Sequence, residues 1–236
     1  VGSPHQRVPA VHIAGTKGKG STATLIYRIL LAAGYRAGLY TQPHLVSPRE
    51  RFQVCGACIT REQMAILLDG LRPAFEEHRE SELGRLTFYE VYTVMAFAYF
   101  AQAGLDIAVL EVGMGGRLDA TNVVDPVVSV VTPVDIDHVD ALGNTLEQIA
   151  GEKAGIIKPE KPVVMGHQQH SAEAVIRRAA SSVEAPLVDV RTEIETTRAS
   201  VQSGADVCSF RGRAIRLDDV RLRLVGAHQT QNAATA

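Results

Sequence analysis

The period of the apolar positions changes repeatedly along the chain, and each change marks an element. Val11 to Ala14 is a short apolar run that reads as a buried strand. Ser21 to Ala33 places Leu25, Ile26, Ile29 and Leu30 on one helix face, and Gly34 supplies a left-handed stop. Arg36 to Thr41 reads as a second strand, followed by an irregular segment containing Pro43 and Pro48 that is long enough for a functional loop. Thr60 with Gln63, Thr87 with Glu90, and Thr145 with Gln148 are capping-box pairs. They open three helices: one that Pro73 ends or kinks, one apolar nearly all round to Ala103, and one through about Ala154. Between the first two, 78–85 is polar and reads as a surface connection.

Leu105 to Glu111, Val127 to Thr132 and Pro162 to Met165 read as further strands, and Ala172 to Ala180 as a helix. The valine-rich run at 127–132 has the composition of a parallel strand covered on both faces. From about residue 186 the character changes. Val220 to Leu224 alternates with period two after Asp218-Asp219, the pattern of an antiparallel hairpin with a turn at the aspartates. Strand–helix repeats followed by hairpins predict an α/β fold: a doubly wound parallel sheet with a small antiparallel sheet appended.

Composition excludes several classes. The 236 residues carry 24 Lys+Arg against 26 Asp+Glu, so no polybasic field points to nucleic acid or a membrane surface. The most apolar stretch, 91–101, is far shorter than the ~20 residues of a membrane span. Three cysteines are an odd count and the N-terminus has no signal-peptide pattern, which suits a reducing cytoplasm. Cys55-Gly56-Ala57-Cys58 lacks the second pair that structural zinc requires and reads as a hairpin turn.

Candidate chemistry begins at Gly15-Thr16-Lys17-Gly18-Lys19-Gly20-Ser21, between the first strand and first helix. Backbone N–H groups at a helix N-terminus face an anion there, Lys19 adds a point charge, and Ser21 offers a hydroxyl to magnesium or a phosphate oxygen. The spacing departs from the general P-loop: two residues separate Gly15 from Gly18, and Gly20 stands before Ser21. The bland alternative is a tight strand–helix turn with a solvated lysine. Two more segments follow strand ends, where ligands bind in open parallel sheets: Glu111, and Asp135-Ile136-Asp137-His138. Oxygen and imidazole groups near a phosphate loop suit magnesium bridging phosphates. Singly, Glu111 could pair with Arg117, and His138 could be an ordinary helix-side hydrogen-bonding residue.

Together G-T-K-G-K-G-S, Y-T-Q-P-H-L, L-E-V-G-M-G-G-R-L-D-A-T-N-V, D-H-V-D-A-L-G-N-T, I-A-G-E-K-A-G-I-I-K and G-A-H-Q-x-x-N-A resemble the folylpolyglutamate synthase/dihydrofolate synthase family of the Mur ligase superfamily, in the family's order and over nearly the whole chain. The resemblance implies a P-loop domain of the Mur ligase central type in an ATP-dependent amide ligase. In that reaction a folate or pteroate carboxylate becomes an acyl phosphate, which the amine of L-glutamate then displaces. By position it puts ATP on Gly15 to Ser21 and Asn232, and catalytic roles on Lys19, Glu111, His138 and Lys153. Metal ligands would be Ser21, Gln42, Glu111, His138 and Lys153, in an arrangement of two magnesium sites with Lys153 carbamylated; unmodified, Lys153 would pair with Glu152 or a phosphate. Folate would meet the 42–52 loop through Gln42, Pro43, His44, Arg51 and Phe52.

Two positions depart from the family pattern: Lys17, where asparagine is common, adds charge near the phosphates, and Gln42 replaces a metal-contacting serine. The implied layout is an ATP-binding domain over 1–225, hairpins from about 186 included, and a linker beginning at 226–236 toward a second α/β domain. On that basis the chain alone is expected to bind nucleotide without completing the ligase reaction, and the full-length enzyme to be a cytoplasmic monomer. The rivals are a peptidoglycan-precursor ligase of the same superfamily and a nucleotide-binding module without catalysis.

Overall fold

In the computed structural model, which describes residues 1–201, 204–213 and 215–236, eight strands form one sheet. They are β1 (Ala10–Ala14), β2 (Ala37–Tyr40), β3 (Phe52–Val54), β4 (Ala57–Cys58), β5 (Ile107–Glu111), β6 (Val128–Val131), β7 (Val163–Met165) and β8 (Leu187–Asp189), in the order β4-β3-β2-β5-β1-β6-β7-β8. From β2 to β8 every pairing is parallel, and β3 and β4 extend the β2 edge antiparallel. A separate antiparallel sheet contains β9 (Ile194–Val201), β10 (Ala205–Gly212) and β11 (Arg216–Leu222), with β10 central. The helices are α1 (Lys19–Ala32), α2 (Arg61–Arg79), α3 (Phe88–Ala103), α4 (Val139–Leu142), α5 (Leu146–Ala154), α6 (His170–Ser182), α7 (Val190–Glu193) and α8 (Ala227–Thr235).

Strand alternation decides which face each helix covers. Val11 and Ile13 of β1 and Val109 of β5 pack with Ala23, Ile26 and Tyr27 of α1. Ala10, Ala108 and Leu110 point the other way, into a cluster with Met95, Phe97 and Phe100 of α3 and Leu67 and Leu71 of α2. The all-apolar reading of α3 corresponds to this burial, and fully burying side chains such as Met95 and Phe100 contributes roughly 1.5–3 kcal/mol each. Ile149 of α5 and Ile176 of α6 close a third cluster on β6 and β7. The sheet is thus wound on both faces. Its order reverses beside β1, so the ligand-binding crevice lies at the carboxyl ends of β1, β5 and β6.

All three capping boxes form, with Thr60, Thr87 and Thr145 accepting the N–H three residues on. The Cys55-Gly56 turn is a hairpin tip with positive φ at both residues, and Tyr27 Oη accepts the Gly56 N–H at 2.6 Å. Elsewhere the structure corrects the sequence reading. Pro73 does not end α2, which continues to Arg79, because the helix rests on α3 through neighbouring turns. Asp218 and Asp219 lie inside β11 rather than in a turn before it. A register shift opposite Cys208/Phe210 accommodates them, and Asp218 pairs with Arg211 and Arg216. Within 226–236, the stretch expected to begin a linker, Ala227–Thr235 forms α8, which packs on α1 and β9, and the Gly226 N–H at its start donates to Asp206 Oδ2 at 2.8 Å.

Candidate active site

The loop after β1 is held from both sides. Gly15, at φ 151, has the Thr132 side chain where a Cβ would stand. Its carbonyl accepts two amines, Lys19 Nζ at 3.0 Å and Lys153 Nζ at 2.9 Å. The Thr16 and Lys17 N–H groups are not turned to a ligand: both donate to the Pro133 carbonyl, at 3.0 and 3.1 Å. Thr16 Oγ1 donates to the Asp135 carbonyl and accepts the Asp135 N–H. Lys17 reaches Asp135 Oδ2 at 2.5 Å, holding that carboxyl below its usual range; its charge is paired with Asp135 rather than adding to a phosphate field. The first bond of α1 runs from Thr22 N–H to Gly18 O. The amides of Gly18 to Ser21 therefore head the helix without intrahelical partners, the arrangement that receives an anion. Gly18, at φ 83, leaves room for buried Asn232, whose Oδ1 lies where a Cβ would be. That contact brings α8 onto the phosphate loop.

Glu111 ends β5 and is 4% exposed. Burial pushes its carboxyl up to about 7, opposed by the Gln42 N–H on Oε2 at 3.0 Å and by the charges of Lys19 and Arg51. It does not pair with Arg117, which goes to Glu152 instead. Lys153 is 2% exposed. Burial and the Lys19 charge lower its amine to about 8, while Asp137 acts against them. His138, at φ 47, stands exposed at the start of α4 with its ring 3.6 Å from Asp137. Among the described residues no three His, Cys, Asp or Glu side chains converge on one metal position.

The loop after β2 joins this centre to a cavity of about 490 Å³ lined by Gln42, Arg51, Phe88, Tyr89, Met114 and Asp119 among others. Gln42 Oε1 accepts from Arg51 Nη1 at 3.1 Å, so it faces the arginine. Arg51 is buried, donates from Nε to His44 Nδ1 at 2.9 Å, and lies 5.6 Å from the ring centres of Phe88 and Tyr92. Pro43 is exposed. Phe52, expected among the folate contacts, is a core residue instead: as the first residue of β3 it turns inward between Tyr40 and Tyr92.

Asp119 lies in the L-E-V-G-M-G-G-R-L-D-A-T-N-V motif, which by itself assigns it no role. In the structure its oxygens accept from Tyr89 Oη, the Gly113, Met114 and Thr121 N–H groups, and Thr121 Oγ1. Thr121 Oγ1 also meets His12 Nε2 at 2.8 Å, and burial lowers the His12 imidazole to about 3, so it is neutral. The available signal was local: an aspartate two residues before a threonine, at the N-cap of a short 3-10 turn.

A parallel sheet with a phosphate loop at its switch point and a buried carboxylate on the next strand end defines a nucleotide-binding α/β domain. The chain belongs to the Mur ligase middle domain family, whose model matches residues 13–236. It is 39% identical over 235 residues to the dihydrofolate synthase/folylpolyglutamate synthase of Bacillus subtilis, covering 99% of this chain and 55% of that protein. Mycobacterium tuberculosis folylpolyglutamate synthase, solved with ADP and AMPPCP, superposes with a TM-score of 0.94 at 38% identity, over 99% of this chain and 54% of that one. A folylpolyglutamate synthase complexed with AMPPCP and folate gives 0.95 at 34% identity, over 99% and 58%. The chain spans about half the length of the curated relatives it matches.

Proposed function

We propose that this chain is the nucleotide-binding part of an ATP-dependent ligase that joins L-glutamate to a folate or dihydropteroate carboxylate. The observation that carries the reading is the direct connection between two sites. Gln42, on the wall of the aromatic- and arginine-lined cavity, donates its backbone N–H to Glu111 at the head of the phosphate loop. An acceptor in that cavity brings its carboxylate toward phosphates held by Lys19 and the amides of Gly18 to Ser21. The acceptor oxygen attacks the γ-phosphorus, ADP leaves, the glutamate nitrogen attacks the acyl carbon, and inorganic phosphate departs. The wall residues orient the acceptor and Lys19 offsets charge on the transferred group, the type of preorganisation that lowers such barriers.

Magnesium fits this site. Glu111 is a buried carboxylate without an ion-pair partner among the described residues, and magnesium commonly takes one or two protein carboxylates alongside phosphates and water. When bound, the ion neutralises the β- and γ-phosphates. Ser21, Glu111 and His138 are the residues proposed to hold it, with Lys153 serving a second site as a carbamate. Gln42 Oε1 already accepts from Arg51 Nη1, which leaves one lone pair for the ion. An amine at about 8 is neutral in roughly one molecule in ten at pH 7, some 300-fold more than an ordinary lysine, and the neutral amine is what combines with carbon dioxide. Residues 1–225 form the nucleotide domain in this reading, and α8 leads from it toward the remainder of a monomeric cytoplasmic enzyme.

The test is ATP-dependent incorporation of labelled glutamate into pteroate or folate, run beside a UDP-linked muramoyl peptide acceptor. Full-length protein should use the former, and Lys19→Ala and Glu111→Gln should lose turnover by several kcal/mol equivalent while still melting cooperatively. Turnover with the muramoyl acceptor alone reassigns the substrate, and near-normal turnover by either variant removes its proposed role.

A further inference from the structure

Glu50 has no part in the roles given above. It lies in the 3-10 turn Pro48–Arg51 and reaches back along the loop, where its carboxylate collects three successive backbone N–H groups. Leu45 donates to Oε2 at 2.8 Å, and Val46 and Ser47 donate to Oε1 at 3.0 and 2.7 Å. Ser47 Oγ accepts the Arg49 N–H at 3.4 Å in return. A capping box accounts for the Ser47 N–H alone. The other two bonds fix the tip of the loop.

The tip is unusual in what it displays. Leu45 and Val46 are 89% and 90% exposed, more than any other large apolar side chain among the described residues. The loop leaves the cavity wall at Gln42 and returns to it at Arg51, so both of its ends are anchored on that wall while the tip itself stands in solvent. Phe88, Met114 and Leu118 line the same cavity and are themselves exposed. Two apolar side chains held in water by a dedicated carboxylate gain nothing in the free protein. Against an aromatic ligand seated in the cavity they would bury their surface without first ordering the backbone.

We propose that Glu50 is a positioning residue for the acceptor: by gathering the Leu45, Val46 and Ser47 amides it pre-orders the loop tip so that Leu45 and Val46 close on the acceptor's ring system. This rests on the acceptor reading given above. The loop's order in the free protein does not, and that separates the two in experiment. Glu50→Gln keeps one acceptor oxygen and leaves at least one of the three amides without a partner. Hydrogen exchange at 45–47 in the free protein should accelerate by about tenfold or more, while the capped amide of Gln63 is unchanged. Pteroate affinity should fall by about tenfold, with ADP affinity unaltered. Leu45→Ser/Val46→Ser leaves the carboxylate bonds in place and should weaken pteroate similarly without changing exchange at 45–47. Unchanged exchange in Glu50→Gln overturns the ordering role whatever pteroate does. Faster exchange with unchanged pteroate affinity overturns its link to the acceptor. Failure of the wild-type protein to bind pteroate overturns the acceptor reading itself and the role assigned to the tip.

Discussion

Lys153 offers the sharpest test of how burial sets charge at this centre. Its amine lies 2% exposed on the Gly15 carbonyl, and burial followed by the Lys19 charge brings it from 10.5 to about 8. A shift of that size corresponds to about 3 kcal/mol at 1.36 kcal/mol per unit. The folded pKa lies below the unfolded one, so between about 8 and 10.5 the unfolded chain holds more protons and stability rises with pH. Below that window the fold bears the whole cost of a buried ammonium; above it, none.

Lys153→Met keeps the length of the side chain and removes the titration, and Gly15 O retains Lys19 as a donor at 3.0 Å. In buffer free of carbon dioxide, urea unfolding of both proteins from about pH 7 to pH 10 should show the variant's advantage over wild type shrinking by roughly 2–3 kcal/mol. Taking the difference cancels every titration the two proteins share. A difference that stays flat across the series refutes the argument, because it means that the amine is neutral or solvated throughout. Bicarbonate should flatten the wild-type profile if the carbamate forms, since the titrating amine is then consumed.

Glu111→Gln should show the opposite sign: with the carboxyl raised to about 7, the fold binds the extra proton, wild-type stability falls as pH rises from about 4.5 to 7, and the variant gains roughly 3 kcal/mol over wild type across that window in urea titrations. Asp119→Asn removes one of two oxygens that together accept five donors, and should cost roughly 2–4 kcal/mol in the same assay. Gly18→Ala drives a methyl into Asn232 at φ 83 and should weaken ADP binding in calorimetry; adding Asn232→Ala vacates that space and should recover part of the loss, whereas equal affinity in wild type and both variants would detach α8 from the site.

What the sequence made legible follows from the range of the interactions involved. Capping boxes at Thr60, Thr87 and Thr145 span three residues, and the valine run of β6 declares a covered parallel strand by itself. The phosphate loop, Glu111 and Lys153 were readable as candidates because each follows a strand end or sits in a recognisable motif. Their convergence was not readable: Lys153 and Gly15 are 138 positions apart, and only the sheet order brings them together. The corrections share that cause. Phe52 looks like any loop-end aromatic until β3 pairs with β2 and turns it inward. Asp218-Asp219 has turn composition, but arginines on β10 and β11 offset the charge of Asp218 and keep the strand running. Pro73 loses one helical bond, and packing of α2 on α3 outweighs it.

Lys17 shows how the same effect changes a chemical reading. Counted along the sequence it is a third cation beside the phosphates. In the fold it meets Asp135, 118 positions away, and both side chains stand partly in solvent. The pair is nearly neutral to a ligand beyond a Debye length of roughly 8–10 Å. Lys19 and Lys153 differ from it: both amines point at one carbonyl, and among the described residues no carboxylate lies within ion-pair distance of either. The positive field at the head of α1 is therefore set by these two amines and the helix terminus. Carbamylation as proposed would change the charge at Lys153 by two units and leave Lys19 facing an anion across Gly15. The resulting centre, with Glu111 and a carbamate beside one ammonium, has an excess of negative oxygen that suits a second magnesium beside the nucleotide; the unmodified centre, with two ammonium groups and one half-protonated carboxyl, offers that second ion no ligand and holds the first more weakly. Nucleotide affinity should accordingly become more strongly magnesium-dependent when bicarbonate is supplied, and calorimetric titrations with ADP alone and with magnesium ADP, each with and without bicarbonate, separate the two states. Equal magnesium dependence in both buffers would show that the charge at Lys153 does not govern the metal.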